Sequence, residues 1–456
     1  MSKTPNDKTP LQIDLTVDTL GEATHPSPLE LSTQLDDEIA NYTPDGVHVL
    51  FDPSRTDLAM SDAERMMATS DLDASSYELV GPRCFELAGP RERTFFEGPK
   101  TTAAILTCGG LCPGLNNIIR DVVLTLWHHY GVRRIYGVRY GYRGLAAFTP
   151  DPPIELKPAS VAHIHMLGGT TLGSSRGPQK PGEMVDTLQR LGVNLLIVAG
   201  GDGGMRGAKA IYEEVKRREL SISVVGVPKT IDNDLPFIER TFGFDTAVSI
   251  AVDAIQAANV EATGAPNGVG LVKLMGRHSG YIASAASLAS RDVNLVLVPE
   301  LPFTLEAVYA WLRERLAQRG HAVIVVAEGA GQEHLETAAS TDASGNVKLG
   351  DIGLFLRDGI KTALSDIELN LKYIDPSYII RAAPANPADA IFCSRLAEDA
   401  VHAAMAGKTG MVIGMWMHRF THVPLSAATT DRKRIPLDSQ FWRTVVDSTG
   451  QPAKLR

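Results

Sequence analysis

Residues 224–236 read VVGVPKTIDNDLP, an apolar run that stops at a proline and opens directly onto charged and hydroxyl side chains. The run Val224–Val227 has no polar side chain on either face, which is typical of a buried parallel strand. Lys229, Thr230, Asp232 and Asp234 follow it directly. A cation, a hydroxyl and two carboxylates at the end of a buried strand indicate a ligand site of the kind found in open α/β sheets.

The same alternation of short apolar runs and longer amphipathic segments continues on both sides of this stretch and predicts βαβ units. The predicted strands are Ala103–Thr107, Ile135–Val138, Leu195–Ala199, Val224–Val227, Val269–Leu274, Leu295–Val298, Ala322–Ala327 and Met411–Gly414. The predicted helices include Leu115–His128, Met205–Arg218, Thr246–Thr263, Leu305–Arg319 and Pro387–Ala406. The predicted fold class is therefore α/β, with an open and mostly parallel sheet architecture.

Composition limits the possible partners. The chain has 456 residues, 44% of them apolar, which is enough for two to three domains. Its net charge of −9 excludes the basic field that binds nucleic acid or anionic membranes, so an anionic ligand needs a local cluster of donors. Four scattered cysteines do not make a disulfide framework, and the sequence shows no apolar leader or span. We expect a cytoplasmic protein with neither nucleic acid nor membrane as a partner.

The two ends of the chain differ from its centre. Residues 1–95 are rich in Asp, Thr, Ser and Pro and have only short apolar clusters. They predict an N-terminal arm that wraps the body or a neighbouring subunit, with a disordered first stretch. Residues 431–456 predict a C-terminal tail that packs loosely.

Three glycine-rich loops follow predicted strands: TCGGLCPGLNNIIR at 107–120, MLGGTTLGSSRG at 166–177 and AGGDGGMRGA at 199–208. Glycines at a strand end let backbone amides approach an anion, and a following helix N-terminus adds its dipole. One such loop is equally well a tight turn, but three in succession favour a phosphorylated ligand. None of the loops matches the P-loop or the dinucleotide fingerprint.

Three carboxylates follow predicted strands, one of them in the third glycine loop and two in the stretch after Val224–Val227. Asp202 lies between Gly201 and Gly203. Its carboxylate would repel phosphates unless a divalent cation bound to both the carboxylate and the phosphates. The alternative is that Asp202 caps the next helix. Asp232 and Asp234 are two residues apart, so in an extended segment one could reach a metal while the other accepts a proton. An Asx-turn would use them only for backbone hydrogen bonds. The lysine and hydroxyl just before them favour a phosphoryl-transfer centre.

Other charged residues lie in further motifs. Arg277 and Glu328 follow predicted strands, Arg176 lies in SSRG, and Lys372 and Arg381 lie on either side of Tyr378 in KYIDPSYIIR. Each alone is more often a solvated surface charge. Together the cations form a basic ring around phosphate loops in an acidic protein.

From about residue 101 to residue 414 the chain resembles the 6-phosphofructokinase family. The motifs GGLCPGLN, GGDG, PKTIDND, GFDTA, MGR, AEGA and YIDPSYIIR occur in the family's order. The segments ELAGPRER, HHYGVRRIYGVRYGYRGL and PSYIIR look like the long ATP-dependent subgroup, which is close in sequence to the pyrophosphate-dependent enzymes.

The resemblance implies transfer of the ATP γ-phosphoryl to the 1-hydroxyl of fructose 6-phosphate, with Mg²⁺ as cofactor. It implies a catalytic set of Asp232, Thr230 and Arg277, and metal ligands Asp202 and Asp234. The implied donor residues are Gly110, Arg176, Gly177, Gly201, Asp202, Gly203 and Gly204. The implied sugar-phosphate residues are Lys229, Thr230, Asp232, Met275, Gly276, Arg277, Glu328, Lys372, Tyr378, Ile379, Ile380 and Arg381.

The family fold implies two doubly wound α/β lobes with the active site in the cleft between them. Residues 96–240 and 377–430 would form the donor-binding lobe, and residues 241–376 the sugar-phosphate lobe. A homotetramer or homodimer is implied as well. Gly268 stands where short bacterial enzymes have an arginine that reaches a neighbouring subunit, and Gly204 stands where a Ser or Thr is common.

Two residues bear on the identity of the phosphoryl donor, and each indicates a different donor. In the family, a glycine at the position of Gly203 leaves room for ATP, whereas pyrophosphate enzymes usually have aspartate there. A lysine at the position of Lys229 is usual in pyrophosphate enzymes. Because steric exclusion decides what fits and one cation only tunes charge, the sequence favours ATP. The alternatives are a pyrophosphate-dependent transferase on the same sugar and a non-catalytic regulatory homologue.

Overall fold

The computed structural model of the protein describes residues 11–34, 37, 39–50, 77–80, 83–335 and 348–456. In these ranges the chain folds into two large sheets of mostly parallel strands, with helices packed against them, and three two-stranded sheets, so the predicted α/β class is confirmed. Among the helices of these ranges, none is long and apolar enough to cross a bilayer.

The strands of the described ranges are, in chain order, β1 (Leu11–Asp14), β2 (Asp18–Thr19), β3 (His25–Pro26), β4 (His48–Leu50), β5 (Tyr77–Val80), β6 (Cys84–Leu87), β7 (Arg93–Thr94), β8 (Thr102–Thr107), β9 (Arg134–Val138), β10 (Ile154–Glu155), β11 (Leu195–Gly200), β12 (Ser223–Pro228), β13 (Gly268–Leu274), β14 (Leu295–Leu297), β15 (His321–Ala327), β16 (Asn370–Ile374), β17 (Lys408–Thr409), β18 (Met411–Trp416) and β19 (Arg419–Pro424).

The helices are α1 (Leu115–Leu124), α2 (Pro158–Val161), α3 (Pro181–Arg190), α4 (Asp202–Arg217), α5 (Phe244–Thr263), α6 (Tyr281–Ser290), α7 (Leu305–Arg319), α8 (Ile352–Ala363), α9 (Ser377–Ala382), α10 (Pro387–Met405), α11 (Leu425–Ala428) and α12 (Gln440–Thr449). Helix α1 continues as a π-helical turn, Thr125–His129. Every strand and helix predicted from the apolar periodicity is present, with ends shifted by a few residues.

The larger sheet has nine strands in the described residues, in the order β10-β9-β8-β11-β12-β18-β19-β6-β4. Its central strands are parallel and buried on both faces: Ala103 and Ile105 of β8 face one apolar cluster, and Ala104 and Leu106 face another. Helices α1 and α10 contribute to the first cluster, and α3 and α4 to the second. Burial on both faces explains why these strands have no alternation of polar and apolar residues.

Within the described ranges the smaller sheet has four parallel strands, in the order β14-β15-β13-β16. Its core joins that of the larger sheet through α5, where Ala247, Ala251 and Ala258 are buried in the same cluster as Val272. A Cβ on Gly270 of β13 would lie 2.7 Å from the carbonyl oxygen of Ala258, so the glycine allows the close approach of helix and strand.

Parts of the chain assigned to the arm belong to the larger sheet. Strand β6 pairs with β19, and β4 pairs with β6, both antiparallel. Sequence analysis missed them because strands of three and four residues are too short to show an apolar pattern. Residues 1–10, which were predicted to be disordered, lie outside the described residues. The predicted lobe boundaries stay a prediction.

The prediction of a loosely packed C-terminal tail is wrong. Trp442 and Val445 of α12 are buried, and the Val296 amide of β14 donates to Gln451 Oε1 over 2.8 Å. The carbonyl of Leu455, which is also buried, accepts a bond of 2.9 Å from the Thr304 amide. Apolar side chains three residues apart are enough for one helical face to pack, although polar letters dominate the stretch.

Helix α10 carries a buried histidine away from the charged loops. His402 is 8% exposed, and its Nδ1 lies 2.7 Å from the Tyr130 hydroxyl. Burial, together with His129 and Arg91 nearby, lowers the pKa of His402 to about 3. The folded protein therefore keeps this imidazole neutral where an unfolded chain would protonate it.

We expect His402 to make the folded state sensitive to acid. The depressed folded-state pKa means that its contribution to stability is complete above the unfolded pKa of about 6.5 and is lost as the pH falls toward 3. From about pH 7.5 to about pH 5 the group alone should lower the free energy of unfolding by up to ~2 kcal/mol. Urea denaturation of the wild type and His402→Gln at both pH values measures this.

The glutamine variant keeps an acceptor for Tyr130 but cannot titrate, so its stability should fall less between the two pH values. His418→Gln, on an exposed turn, is the matched control and should behave as the wild type does. If the free energy of unfolding fell equally in His402→Gln and in the wild type between the two pH values, His402 would not be the group that causes the acid sensitivity.

Candidate active site

The loop after β12 is tied to the first glycine loop by a buried lysine. Lys229 is 6% exposed, and its ammonium donates to the Gly110 carbonyl over 2.9 Å. Its backbone amide donates to the Gly200 carbonyl, also over 2.9 Å, which extends the pairing of β11 and β12 past Pro228. Three loops that are distant in sequence thus meet at the carboxyl ends of neighbouring strands.

The TIDND turn fixes the directions of its own carboxylates. The Thr230 hydroxyl donates to Asp234 Oδ1 over 2.8 Å and accepts from the Asp232 amide over 3.2 Å. Asn233 between them has φ of +53°, a left-handed conformation that Asn tolerates. Its Oδ1 accepts from the Thr241 amide over 3.0 Å. The turn is therefore made by the Thr230 hydroxyl and not by an Asx-turn of the two carboxylates, and it orients both carboxylates.

Asp232 lies where the loops of the two sheets meet. The Arg277 backbone amide donates to its carboxylate, and the Ser279 hydroxyl donates to its carbonyl over 3.1 Å. Burial first, and then the charges of Asp234 and Glu328, raise the pKa of Asp232 to about 7, against the opposing effect of Arg381. Oδ1 is buried and has no hydrogen-bond partner among the described residues. Such a group is suited to accept a proton near neutral pH.

Asp202 and Asp234 converge on one guanidinium. Arg432 Nη2 lies 2.9 Å from Asp202 Oδ2, and Arg432 Nη1 lies 3.3 Å from Asp234 Oδ2. Arg206, one turn along α4, approaches the other oxygen of Asp202 at 2.9 Å. Because the two carboxylates can share one cation, their placement fits a divalent metal ion between them.

The described residues contain no group of three or more His, Cys, Asp or Glu that converges as metal ligands. A metal held by Asp202 and Asp234 would therefore need further oxygens from a ligand or water, as Mg²⁺ does in phosphate sites.

The glycines of the third loop differ in what surrounds them. Asp202, Gly203 and Gly204 form the first turn of α4, whose amides and dipole favour an anion. A Cβ on Gly201 would lie 2.9 Å from the Lys229 carbonyl oxygen, and one on Gly204 would lie 2.6 Å from Cys108 Sγ. A Cβ on Gly203 would meet nothing within 4 Å. Gly203 therefore borders open space at the helix N-terminus.

Two arginines lie over the first glycine loop. A Cβ on Gly110 would lie 3.2 Å from Arg381 Nη1 and 3.6 Å from Arg176 Nη2. Gly177, next to Arg176, has φ of +104°, which favours glycine. The structure therefore brings Arg176 and Arg381 together beside Gly110.

The loops of the smaller sheet form the side of the candidate site that is opposite the glycine loops. The Glu328 amide donates to the Leu274 carbonyl over 2.8 Å, so the loops after β13 and β15 begin side by side. Met275 is fully buried, and Gly276 has φ of +125° with the Ser279 carbonyl oxygen 2.5 Å from where its Cβ would be. These two residues shape the turn that presents Arg277.

Not every predicted ligand residue is brought in by the fold. Lys372 is exposed, pairs in register with Gly270 well before the end of β13, and has Glu261 3.8 Å from its ammonium. Ile380 is fully buried, so its side chain is part of the core. Tyr378 and Ile379 are 87% and 68% exposed. Of α9, only Arg381 is next to the carboxylates in this chain.

Sequence reasoning missed the DRKR stretch at 431–434. Besides Arg432, it supplies Lys433, which is 2% exposed and whose ammonium donates to the carbonyls of Ile238 and Glu239 over 2.8 and 3.0 Å. Near the carboxylates, His278 is half-buried, and burial together with Arg432 and Arg277 lowers its pKa to about 4. A run of charges usually indicates a solvated surface, so the sequence gives no signal for this role.

Comparison with known proteins gives one consistent family. The family model described as Phosphofructokinase matches residues 102–404. A protein of Amycolatopsis methanolica named ATP-dependent 6-phosphofructokinase is 46% identical over 453 residues, covering 97% of this chain and 95% of that protein. A Trypanosoma brucei brucei protein of the same name is 51% identical over 375 residues, covering 81% of this chain and 77% of that protein.

Solved structures give the same fold. A pyrophosphate-dependent phosphofructokinase from Marinobacter aquaeolei matches with a TM-score of 0.64 at 22% identity, covering 76% of this chain and 91% of that chain. At this identity the match shows the fold and carries no information about the phosphoryl donor.

We expect Gly204→Ala to destabilise the protein by about 1–3 kcal/mol, the usual cost of overpacking, because the new methyl group would lie 2.6 Å from Cys108 Sγ. Gly203→Ala, one residue earlier, has open space and should be neutral or slightly stabilising. Thermal and urea denaturation of both variants measures the difference.

Adding Cys108→Ala to Gly204→Ala should restore most of the lost stability, because it removes the sulfur. A double-mutant cycle without coupling between the two positions would show that the packing contact does not limit residue 204.

Proposed function

Because the chain belongs to the phosphofructokinase family, we propose that it is an ATP-dependent 6-phosphofructokinase. It transfers the γ-phosphoryl of ATP to the 1-hydroxyl of fructose 6-phosphate, giving fructose 1,6-bisphosphate and ADP. The observation that carries this proposal is Asp232, whose buried Oδ1 lacks a partner among the described residues at the meeting point of the loops from both sheets.

Asp232 is the general base. Its carboxylate takes the proton of the attacking hydroxyl, and its pKa of about 7 suits that task at neutral pH. The Arg277 amide and the Thr230 turn hold the group in place. Asp234 cannot serve in the same way, because Thr230 and Arg432 already engage both of its oxygens.

Asp202 and Asp234 are the residues that would hold Mg²⁺. The metal, when bound, would neutralise negative charge on the donor phosphates. The amides at the N-terminus of α4 and the guanidinium group of Arg176 beside Gly110 bind the remaining charge of the donor phosphates. These groups explain how a protein with net charge −9 can bind anionic substrates.

Arg277, Glu328 and Arg381 form the sugar-phosphate side. Arg277 follows Gly276 at the end of β13, and Glu328 begins the neighbouring loop after β15. A guanidinium can fork onto a phosphate, and a carboxylate can accept from sugar hydroxyls. Lys372 needs another role, since it points toward Glu261.

The surroundings of Gly203 and Lys229 support ATP as the donor. Gly203 borders open space, so a nucleoside extension can pass the N-terminus of α4. The Lys229 ammonium is buried and bonded to the Gly110 carbonyl, so its charge serves to join two loops. Lys229, the residue that suggests pyrophosphate as the donor, therefore has a structural role that does not involve the donor. The Amycolatopsis and Trypanosoma relatives are both named ATP-dependent.

A coupled assay with matched ATP and pyrophosphate in the presence of Mg²⁺ tests the donor. We expect fructose 1,6-bisphosphate with ATP and at most about 1% of that rate with pyrophosphate. Gly203→Asp should lower kcat/KM for ATP by about 10²-fold or more, because a carboxylate would occupy the open space beside the donor. Gly203→Ala is the neutral control of similar backbone.

Turnover with pyrophosphate and none with ATP would overturn the donor assignment. Unchanged use of ATP by Gly203→Asp would show that the donor does not pass this glycine. The Cβ of residue 203 has no neighbour within 4 Å, so the variant should fold.

Asp232→Asn should lower kcat by about 10²–10⁴-fold, the usual effect of losing a general base. The amide has nearly the same shape, so binding of fructose 6-phosphate, measured by calorimetry, should be largely retained. Asp253→Asn, on an exposed position of α5, is the control and should leave kcat unchanged. A kcat for Asp232→Asn within tenfold of the wild type, or an equal loss of kcat in Asp253→Asn, would remove the base role.

We further propose a cytoplasmic homo-oligomer, either a dimer or a tetramer. All four cysteines are free, which fits a reducing compartment. Tyr378, Ile379 and Ile391 on the consecutive helices α9 and α10 are more than half exposed. Exposed apolar residues of this kind favour contact with another subunit.

A further inference from the structure

Arg432 forms the only bridge between Asp202 and Asp234 among the ion pairs of the described residues. Its guanidinium contacts one oxygen of each carboxylate, at 2.9 and 3.3 Å, and the side chain is 21% exposed. The two carboxylates belong to different loops, one at the start of α4 and one after β12. A single positive group thus lies between the two carboxylates that would hold the metal.

The backbone that carries Arg432 is fixed to both sheets. The Lys433 amide donates to the Asp234 carbonyl over 2.9 Å, on the side of the larger sheet. On the other side, the Tyr281 hydroxyl donates to the Arg434 carbonyl, and the Ile435 amide donates to Glu300 Oε1, each over 2.9 Å. Lys433 and Ile435 are both 2% exposed. The Arg432 side chain can therefore move while the backbone that carries it stays in place.

We propose that Arg432 holds the place of the divalent cation between Asp202 and Asp234 until the donor arrives, so that the metal binds only together with the donor's phosphates. The proposal rests on the assignment of these carboxylates to the metal under the proposed function. A guanidinium and a divalent cation compete for the same oxygens, and the positive charge of the first repels the second.

The donor makes it possible for the divalent cation to replace the Arg432 guanidinium. A di- or triphosphate supplies the further oxygens that Mg²⁺ requires and accepts the two-pronged hydrogen bonds that Arg432 gives up. Without phosphate, displacing the guanidinium would leave its charge without an equivalent anion. The metal site therefore forms only when the nucleotide binds. The metal and the nucleotide consequently increase each other's affinity for the protein.

Titration of nucleotide-free protein with Mn²⁺, followed by electron paramagnetic resonance of the free ion, tests the proposal directly. We expect weak binding to the wild type and at least about tenfold tighter binding to Arg432→Gln, because Asp202 Oδ2 and Asp234 Oδ2 lose the cation that they share and can attract the metal. The measurement involves neither sugar nor turnover, so it does not depend on whether the donor assignment is correct. Adding Asp202→Asn to Arg432→Gln should remove the gained affinity.

Arg206→Gln is the matched control. It also removes a guanidinium 2.9 Å from Asp202, but it leaves Arg432 between the two carboxylates, so Mn²⁺ affinity should stay within about twofold of the wild type. If Arg432→Gln does not fold, as judged by circular dichroism, Arg432→Lys replaces it. A lysine has one point charge and cannot span two carboxylates, so intermediate Mn²⁺ affinity is expected.

A second titration with ATP present measures the coupling. ATP should raise the Mn²⁺ affinity more strongly in the wild type than in Arg432→Gln, beyond the Mn²⁺ that free ATP binds. Equal nucleotide-free Mn²⁺ affinity in the wild type and in the folded Arg432 variants would overturn the proposal. An equal gain in Mn²⁺ affinity in Arg432→Gln and Arg206→Gln would also overturn it, since loss of any nearby guanidinium would then have the same effect as loss of the Arg432 bridge.

Discussion

The hydrogen bond from the Lys229 amide to the Gly200 carbonyl fixes the geometry on which the rest of the site depends. Pro228 lies opposite Gly200 at the end of the parallel pair and has no amide hydrogen to continue the ladder, so the next residue does so. This register sets the distance between the loops that carry Asp202 and Asp234. A slip of one residue would turn the side chains to opposite faces and separate the two carboxylates.

The central fold was predictable because its strands are buried on both faces and its helices are amphipathic, so composition alone distinguishes them. The chemistry at 229–234 was predictable because hydroxyl and charged side chains follow a strand directly. Other features were not predictable for definite physical reasons. Strands β4 and β6 are only three and four residues long, and Lys372 and Arg432 are both charges in polar stretches. One of these charges contacts Glu261 and the other contacts the carboxylates, and only long-range packing decides between them.

Several buried polar groups serve to join elements that are distant in the chain. The buried carboxylate of Asp389 in α10 accepts from the amides of Gly243 and Thr246 at the start of α5, over 3.0 and 2.7 Å. Lys229 and Lys433 likewise direct their ammonium groups to backbone carbonyls. Each charge satisfies groups that a loop or helix end would leave unpaired. The site therefore rests on a frame of polar contacts that extends beyond the reacting residues.

Residues 432–435 follow both sheets in the order of synthesis. As the chain leaves the ribosome, β8 to β16 become available before Arg432 and α12 do. During that interval Asp202 and Asp234 have no guanidinium between them, and the apolar face that receives Trp442 is uncovered. The nascent protein thus passes through a stage in which its two sheets can form while its anionic centre still lacks the counter-charge, and completion of the centre is postponed until this late segment docks.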